Sequence, residues 1–319
     1  MYSEKSSKGG IKMKKLNLLF SVLILVLVIS ACSSNGSEQA GKKDNPEKED
    51  TGLSYPHTPN LDDLDPEDPK TAAILYGEEV FNESNVVMPD NVGNELSCQS
   101  CHADGGLSIS SSLVGVTTDY PQYRPREGVT FTLEDRVNGC MIRSMNGEMI
   151  ESDSEEMRGL ISYMTFLSDG YEVGAERPWA GLNNMEEIPE PSVEAGAELY
   201  EKKNCLTCHG SDGEGTGANS GPALWGEDSF NDGAGMGRLN KMAAYIQNNM
   251  PIGDDFELSD QESADLAAFI LMQDRPVFEG HADDFPKGGR PTDIITQDRR
   301  EAIRAGTFDW SEIENVKMK

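Results

Sequence analysis

Basic residues are scarce in this chain: 27 lysines and arginines stand against 56 acids in 319 residues, a formal charge of −29. Binding a phosphate backbone needs clustered cations that displace condensed counterions, so a nucleic-acid role is excluded. Aromatics supply only 7% and hydrophobic residues 37% of the chain. That is thin for a core at this length, so a large apolar cofactor is expected to fill part of the interior. No apolar run reaches the roughly 20 residues needed to span a bilayer; the strongly apolar stretch Leu16 to Ile29 has 14. The length suits about two ordinary domains.

That stretch follows Lys5, Lys8, Lys12, Lys14 and Lys15 and runs into Ser30-Ala31-Cys32. A basic start, a short apolar segment and small residues before a cysteine predict a lipoprotein signal peptide over residues 1–31. Cys32 then becomes the lipidated first residue of a chain held outside the cytoplasm on the membrane. Met13, just before a lysine pair, is an alternative start. Removing 1–31 leaves 22 basic and 55 acidic residues, a formal charge of −33 that favours a cationic partner. Residues 32–69 are rich in Ser, Gly, Pro and charge without apolar periodicity, and are expected to be a disordered tether with His57 solvated.

Six cysteines are present, and four of them fall in Cys98-Gln-Ser-Cys101-His102 and Cys205-Leu-Thr-Cys208-His209. The spacing allows two thioether bonds to one porphyrin while the adjacent imidazole reaches the iron, the signature of c-type haem attachment. A redox dithiol or a zinc site explains the paired cysteines without explaining the histidine that follows each pair. Two covalently bound haem c groups are therefore expected, on His102 and His209.

The chain also repeats itself around these motifs. Thr71 to Phe81 and Val193 to Tyr200 share a Gly, acid, apolar and aromatic pattern at helical spacing. Ser154 and Ser259 each open a later helix as candidate N-caps followed by early acids. Helix, haem motif, Gly-rich loop and terminal helix describe a small class I cytochrome c domain. The fold class is thus mostly α, with two such domains in tandem at 70–172 and 191–275, a linker at 173–190 and an extension at 276–319. His281, in that extension, reads as an ordinary surface histidine.

The remaining iron ligands are less determined by pattern. Met250 lies 41 residues after His209, before the terminal helix, and is preferred there over Met236 and Met242. Met145 occupies the corresponding place 43 residues after His102. Its rival is Cys140, the cysteine left over once two haems and one lipid are assigned. Around Cys140 stand four of the chain's twelve arginines, Arg124, Arg126, Arg136 and Arg143, while no lysine occurs between Lys70 and Lys202. Gathered guanidinium forks in an anionic protein suit a small oxyanion, or else pair with nearby acids and haem propionates.

The runs Val92 to His102, Tyr120-Pro-Gln-Tyr-Arg124-Pro-Arg126 and Thr132 to Gly147, with Ser229 to Met236 and Asn249-Met250-Pro251, closely resemble the dihaem thiosulfate dehydrogenases, also known as tetrathionate reductases. The resemblance implies His102 and Cys140 as axial ligands of the first haem, in place of Met145, and His209 and Met250 at the second. It further implies the joining of two thiosulfates into tetrathionate with release of two electrons, in either direction. A transient sulfur–sulfur adduct on Cys140 is implied, with the electrons leaving through the second haem to an external redox partner, a cytochrome or membrane component. Arg126, Arg136, Arg124 and Arg143 would then neutralise and place the dianions, while Ser144 and Asn146 donate hydrogen bonds to sulfonate oxygens. A non-enzymatic dihaem electron carrier is the competing expectation.

Overall fold

The computed structural model describes residues 53–252 and 257–318, which all belong to one compact unit. The expected signal peptide and Cys32 lie outside the described residues. Helix α1 (Thr71–Asn82) buries Ile74, Gly77, Val80 and Phe81, which recur every three or four residues on one face. The single turn α2 (Ser84–Val87) leads to the first motif, in a tight turn at Cys98–Ser100. Strands β1 (Gln122–Arg124) and β2 (Val129–Phe131) form an antiparallel hairpin that delivers the chain to α3 (Leu133–Met141). Helix α4 (Glu155–Phe166) closes the first half; as expected, Ser154 caps it by accepting from the Met157 amide at 3.1 Å.

After strand β3 (Ile188–Pro189), the second half repeats the scheme. Its helices are α5 (Val193–Lys202), the short α6 (Leu206–His209) carrying the second motif, α7 (Leu239–Asn249) and α8 (Asp260–Leu271). Ser259 caps α8 in a reciprocal box with Glu262, as its sequence predicts. The extension adds α9 (Gln297–Arg304) and β4 (Val316–Lys317), which pairs parallel to β3.

The two halves share one packing device. First and last helices cross where a glycine lets the backbones touch. A Cβ on Gly77 would sit 1.9 Å from the Gly159 carbonyl oxygen, and one on Gly196 would sit 2.1 Å from that of Asp265. Aromatic pairs flank the crossings, Phe81 with Tyr163 at 5.5 Å and Tyr200 with Phe269 at 5.5 Å between ring centres. A continuous apolar cluster links both crossings to Ile295, Ile303, Ile313 and Val316 of the extension. Among the described residues no helix is long and apolar enough to cross a membrane.

Two sequence expectations need correction here. The part of the expected tether that is described is not a free coil: Tyr55 donates to the Leu107 carbonyl at 2.7 Å and packs edge-on against Trp179. Polar composition hid those anchors, because a few aromatic contacts suffice to hold an extended strand. His57 is exposed, although its carbonyl accepts from the Tyr171 hydroxyl at 2.7 Å. His281 is not an ordinary surface residue either. Its Nε2 lies 2.7 Å from Asp232, which is buried and also held by Arg300 at 3.1 Å, so the histidine fastens the extension to the second half.

Candidate active site

Each motif histidine is prepared for a metal by its far side. His102 Nδ1 lies 2.8 Å from the Ser111 carbonyl and His209 Nδ1 lies 2.8 Å from that of Pro222. A carbonyl only accepts, so Nδ1 carries the proton and Nε2 keeps its lone pair. Burial lowers the pKa of both rings, which keeps them neutral, the ligating form. Burial also pushes the thiols of Cys98 and Cys101 up, to about 11 and about 12. A redox dithiol needs the opposite shift, so thioether formation fits these cysteines better. Among the described residues no three His, Cys, Asp or Glu side chains gather as a metal-ion cluster, which disfavours the zinc alternative. The residues present thus fit haem c at both motifs.

Helix α3 carries Cys140. Thr132 and Asp135 form a capping box at its start, and Leu133, Val137 and Met141 anchor it to the core at intervals of four. Arg136 and Cys140 consequently share a neighbouring face, and Arg136 Nη1 stands 2.8 Å from Cys140 Sγ. The charge of Cys140 is the largest influence on Arg136, raising its pKa, and it is also felt by Cys98 and Cys101. Cys140 therefore belongs to the surroundings of the first motif. Met145, its rival, is buried in the apolar cluster.

The four arginines singled out by sequence divide into two groups. Arg143 donates to Asp284 at 2.7 Å, lies 3.7 Å from Glu127 and covers the Phe278 ring at 4.6 Å. Arg126 reaches the Gly233 carbonyl and lies 3.9 Å from the same Asp284, whose side chain is 4% exposed. These two are held by carboxylates and tie the first half to the extension. Among the described residues, Arg124 is hydrogen-bonded to the neutral Gln122 at 3.5 Å, and Arg136 is hydrogen-bonded to Cys140 and also feels the charge of Glu127. Asn146 is held as well, its Oδ1 accepting from Asn231 at 3.1 Å, and the Ser144 carbonyl accepts from Asn94 at 2.9 Å. Asn94 also donates to the Ser229 carbonyl at 3.1 Å, so this loop is the seam between the halves.

The second motif is joined to the first across that seam. Ser108 and Ser110, beside the carbonyl that orients His102, donate to Asn249 Oδ1 at 2.9 and 2.6 Å. Asn249 directly precedes Met250, which follows α7 and is half-buried, whereas Met242 is buried on α7 and Met236 packs against the core. Sequence reading missed Asp284, Asn231 and the two serines. They lie 85 to 158 residues from their partners, from Asn231 with Asn146 to Asp284 with Arg126, and no local pattern marks them.

Comparison with known proteins places this geometry. Residues 77–173 match the family model for the SoxA/TsdA cytochrome c domain, and residues 193–274 match that for cytochrome c. Two cytochrome c domains, each with its own Cys-x-x-Cys-His motif, hold two covalently bound haem c groups. The chain is 36% identical to a thiosulfate dehydrogenase of Psychrobacter arcticus, covering 72% of this chain and 71% of that one. It is 39% identical to one from Allochromatium vinosum, over 65% of this chain and 80% of the other. Among solved structures, the thiosulfate dehydrogenase TsdBA of Marichromatium purpuratum superposes with a TM-score of 0.64 at 30% identity, covering 78% of this chain and 53% of that longer one. With the Psychrobacter and Allochromatium enzymes matched over more than two thirds of their own length, the chain belongs to the thiosulfate dehydrogenase family.

Proposed function

We propose that this protein is an oxidoreductase that couples two thiosulfate ions into tetrathionate and passes two electrons to an external acceptor. The observation that carries this reading is Arg136 donating to Cys140 beside the first motif. A guanidinium donor stabilises sulfur as the nucleophilic anion and neutralises an incoming dianion. When bound, the two haems supply one-electron sinks near the reacting sulfur and an exit path for the electrons.

The chain's own residues then do the following. Cys140 sulfur bonds to the sulfane sulfur of one thiosulfate as two electrons are removed, giving a Cys–S–S–SO₃⁻ adduct. The sulfane sulfur of a second thiosulfate attacks the adduct's sulfane sulfur, the one bonded to Cys140; the bond to Cys140 breaks, and Cys140 leaves as the thiolate while tetrathionate forms. No proton is consumed, and the reverse reaction uses the same contacts. Arg124 and Arg136 offset the repulsion between the two dianions, and Ser144 aids in placing them. Arg126, Arg143 and Asn146 support the site by fixing its walls. On this reading Cys140 and His102 would hold the iron of the first haem and His209 and Met250 that of the second, which the Arg136 contact and the place of Met250 after α7 support. Lipidation at Cys32 would hold the protein outside the cytoplasm on the membrane, and the acidic surface suits a cationic electron partner.

The test is steady-state formation of tetrathionate from thiosulfate with an artificial acceptor. Cys140→Ala is expected to retain both covalently attached haems and lose turnover by at least about 10³-fold, the scale of removing a catalytic nucleophile. Undiminished turnover would remove Cys140 from the chemistry, whereas no tetrathionate formed by the parent protein in either direction would leave an electron carrier.

A further inference from the structure

A short segment of the extension, Phe278 to Phe285, contacts the chain on both sides of α3. The carboxylate of Asp284, 4% exposed, reaches both sides: its Oδ1 accepts from Arg143 Nη2 at 2.7 Å, and its Oδ2 lies 3.9 Å from Arg126 Nε. A ring of the same segment covers each guanidinium, Phe278 at 4.6 Å from Arg143 and Phe285 at 5.5 Å from Arg126. The Phe285 amide also donates to the Arg126 carbonyl at 2.6 Å. Phe285 holds a φ of 60°, the left-handed region that a bulky side chain rarely enters. Such a conformation persists where the surrounding contacts over-determine it, and it is found at functional sites. The segment is itself anchored in the second half. Buried Asp232 accepts from the Phe278 amide at 2.8 Å and from Arg300 at 3.1 Å, and lies 2.7 Å from His281 Nε2. Arg143, in turn, belongs to the turn that leaves α3. Its amide and that of Met145 both donate to the Cys140 carbonyl, at 3.2 and 3.0 Å.

We propose that Asp284 is a positioning residue for the reaction at Cys140, acting through Arg143 and Arg126. The inference rests on the function proposed above. One carboxylate fixes a guanidinium on the turn after α3 and another on the loop after β1, so both segments keep one placement about the Cys140 sulfur. A shift of Arg143 is passed to the Cys140 backbone within a single turn, through the two amides bonded to its carbonyl. Charge-assisted bonds in a buried setting hold such a geometry more narrowly than exposed ion pairs do. An amide in place of the carboxylate still accepts from Arg143 and carries no charge to hold Arg126 as well.

The test is steady-state kinetics on the full-length dihaem protein, with kcat expressed per haem-loaded molecule. A merely structural role lowers the loaded fraction and leaves that quantity alone. Asp284→Asn is expected to lower kcat for thiosulfate by about tenfold, the effect of losing one charge-assisted contact, with KM within about threefold of the parent. A double-mutant cycle then checks the route: Asp284→Asn combined with Arg143→Gln should fall no further than about threefold below the lower single variant. Losses that multiply in the double variant overturn the action through Arg143. If Asp284→Asn does not load haem, Phe285→Gly replaces it, since glycine accepts the left-handed backbone and only the ring over Arg126 is lost; its kcat should fall by about threefold. Unchanged kcat in the variant that loads haem, beside a parent that turns over, overturns the role of Asp284 alone. A parent that forms no tetrathionate in either direction overturns the functional reading as well.

Discussion

At the scale of single residues, partner choice matters more than residue type. Arg136 and Arg143 are both largely buried arginines within one stretch of sequence. Arg136 donates to a cysteine sulfur and Arg143 to a carboxylate, so the same residue type serves two different partners. Lys241, half-buried on α7, yields a pH prediction, because burial and the nearby Arg238 lower its pKa. Its folded pKa, about 8, lies below the ordinary 10.5, so between those values the unfolded chain holds a proton that the folded protein has released. Stability therefore rises with pH across that window relative to Lys241→Met, while the penalty is fully present below about 8. Thermal unfolding measured on both proteins from neutral to alkaline pH checks the trend, and a parent indistinguishable from Lys241→Met defeats it.

At the scale of elements, the two halves rest on glycine-mediated helix crossings that the sequence repeat announces. The matching Gly-acid-apolar-aromatic pattern of α1 and α5 is legible because helix period is local. That the glycines are contact points is a property of the partner helices, since Gly159 and Asp265 bring backbone oxygens to about 2 Å from where a Cβ would stand. Gly77→Ala and Gly196→Ala are each expected to cost about 1–3 kcal/mol in guanidinium unfolding of the holoprotein. Gly181→Ala, where a Cβ meets nothing within 4 Å, should remain within roughly 0.5 kcal/mol of the parent. Equal effects at all three sites would show that close approach is not what the crossings require. Capping was the most readable feature of all, because Ser154 and Ser259 bond to amides only three residues away.

At the scale of the whole molecule, charge and the extension dominate. A formal charge of −29 repels small anions and attracts cationic proteins, and added salt screens both effects. Stopped-flow reduction of a cationic acceptor protein should slow by roughly tenfold between low and about 0.5 M salt, whereas reduction of an anionic acceptor such as ferricyanide should speed up. A common slope for the two acceptors would show that the net charge does not guide docking. The arginines around Cys140 meanwhile gather positive charge inside this acidic shell. The extension is part of that solution: Asp284 holds two arginines, Asp293 holds a third, and its isoleucines complete the core.

The sequence by itself determined the two haem attachments, the helical repeat, the caps and the cluster of arginines around Cys140. Each depends on residues close together along the chain, where spacing alone dictates which side chains meet. The tertiary structure decided which of those arginines acids hold, and that the extension with His281 and Asp284 closes the fold. An ion pair is set by distance in space, and Arg143 with Asp284 or Arg300 with Asp232 are neighbours only after the extension has packed on the rest of the chain.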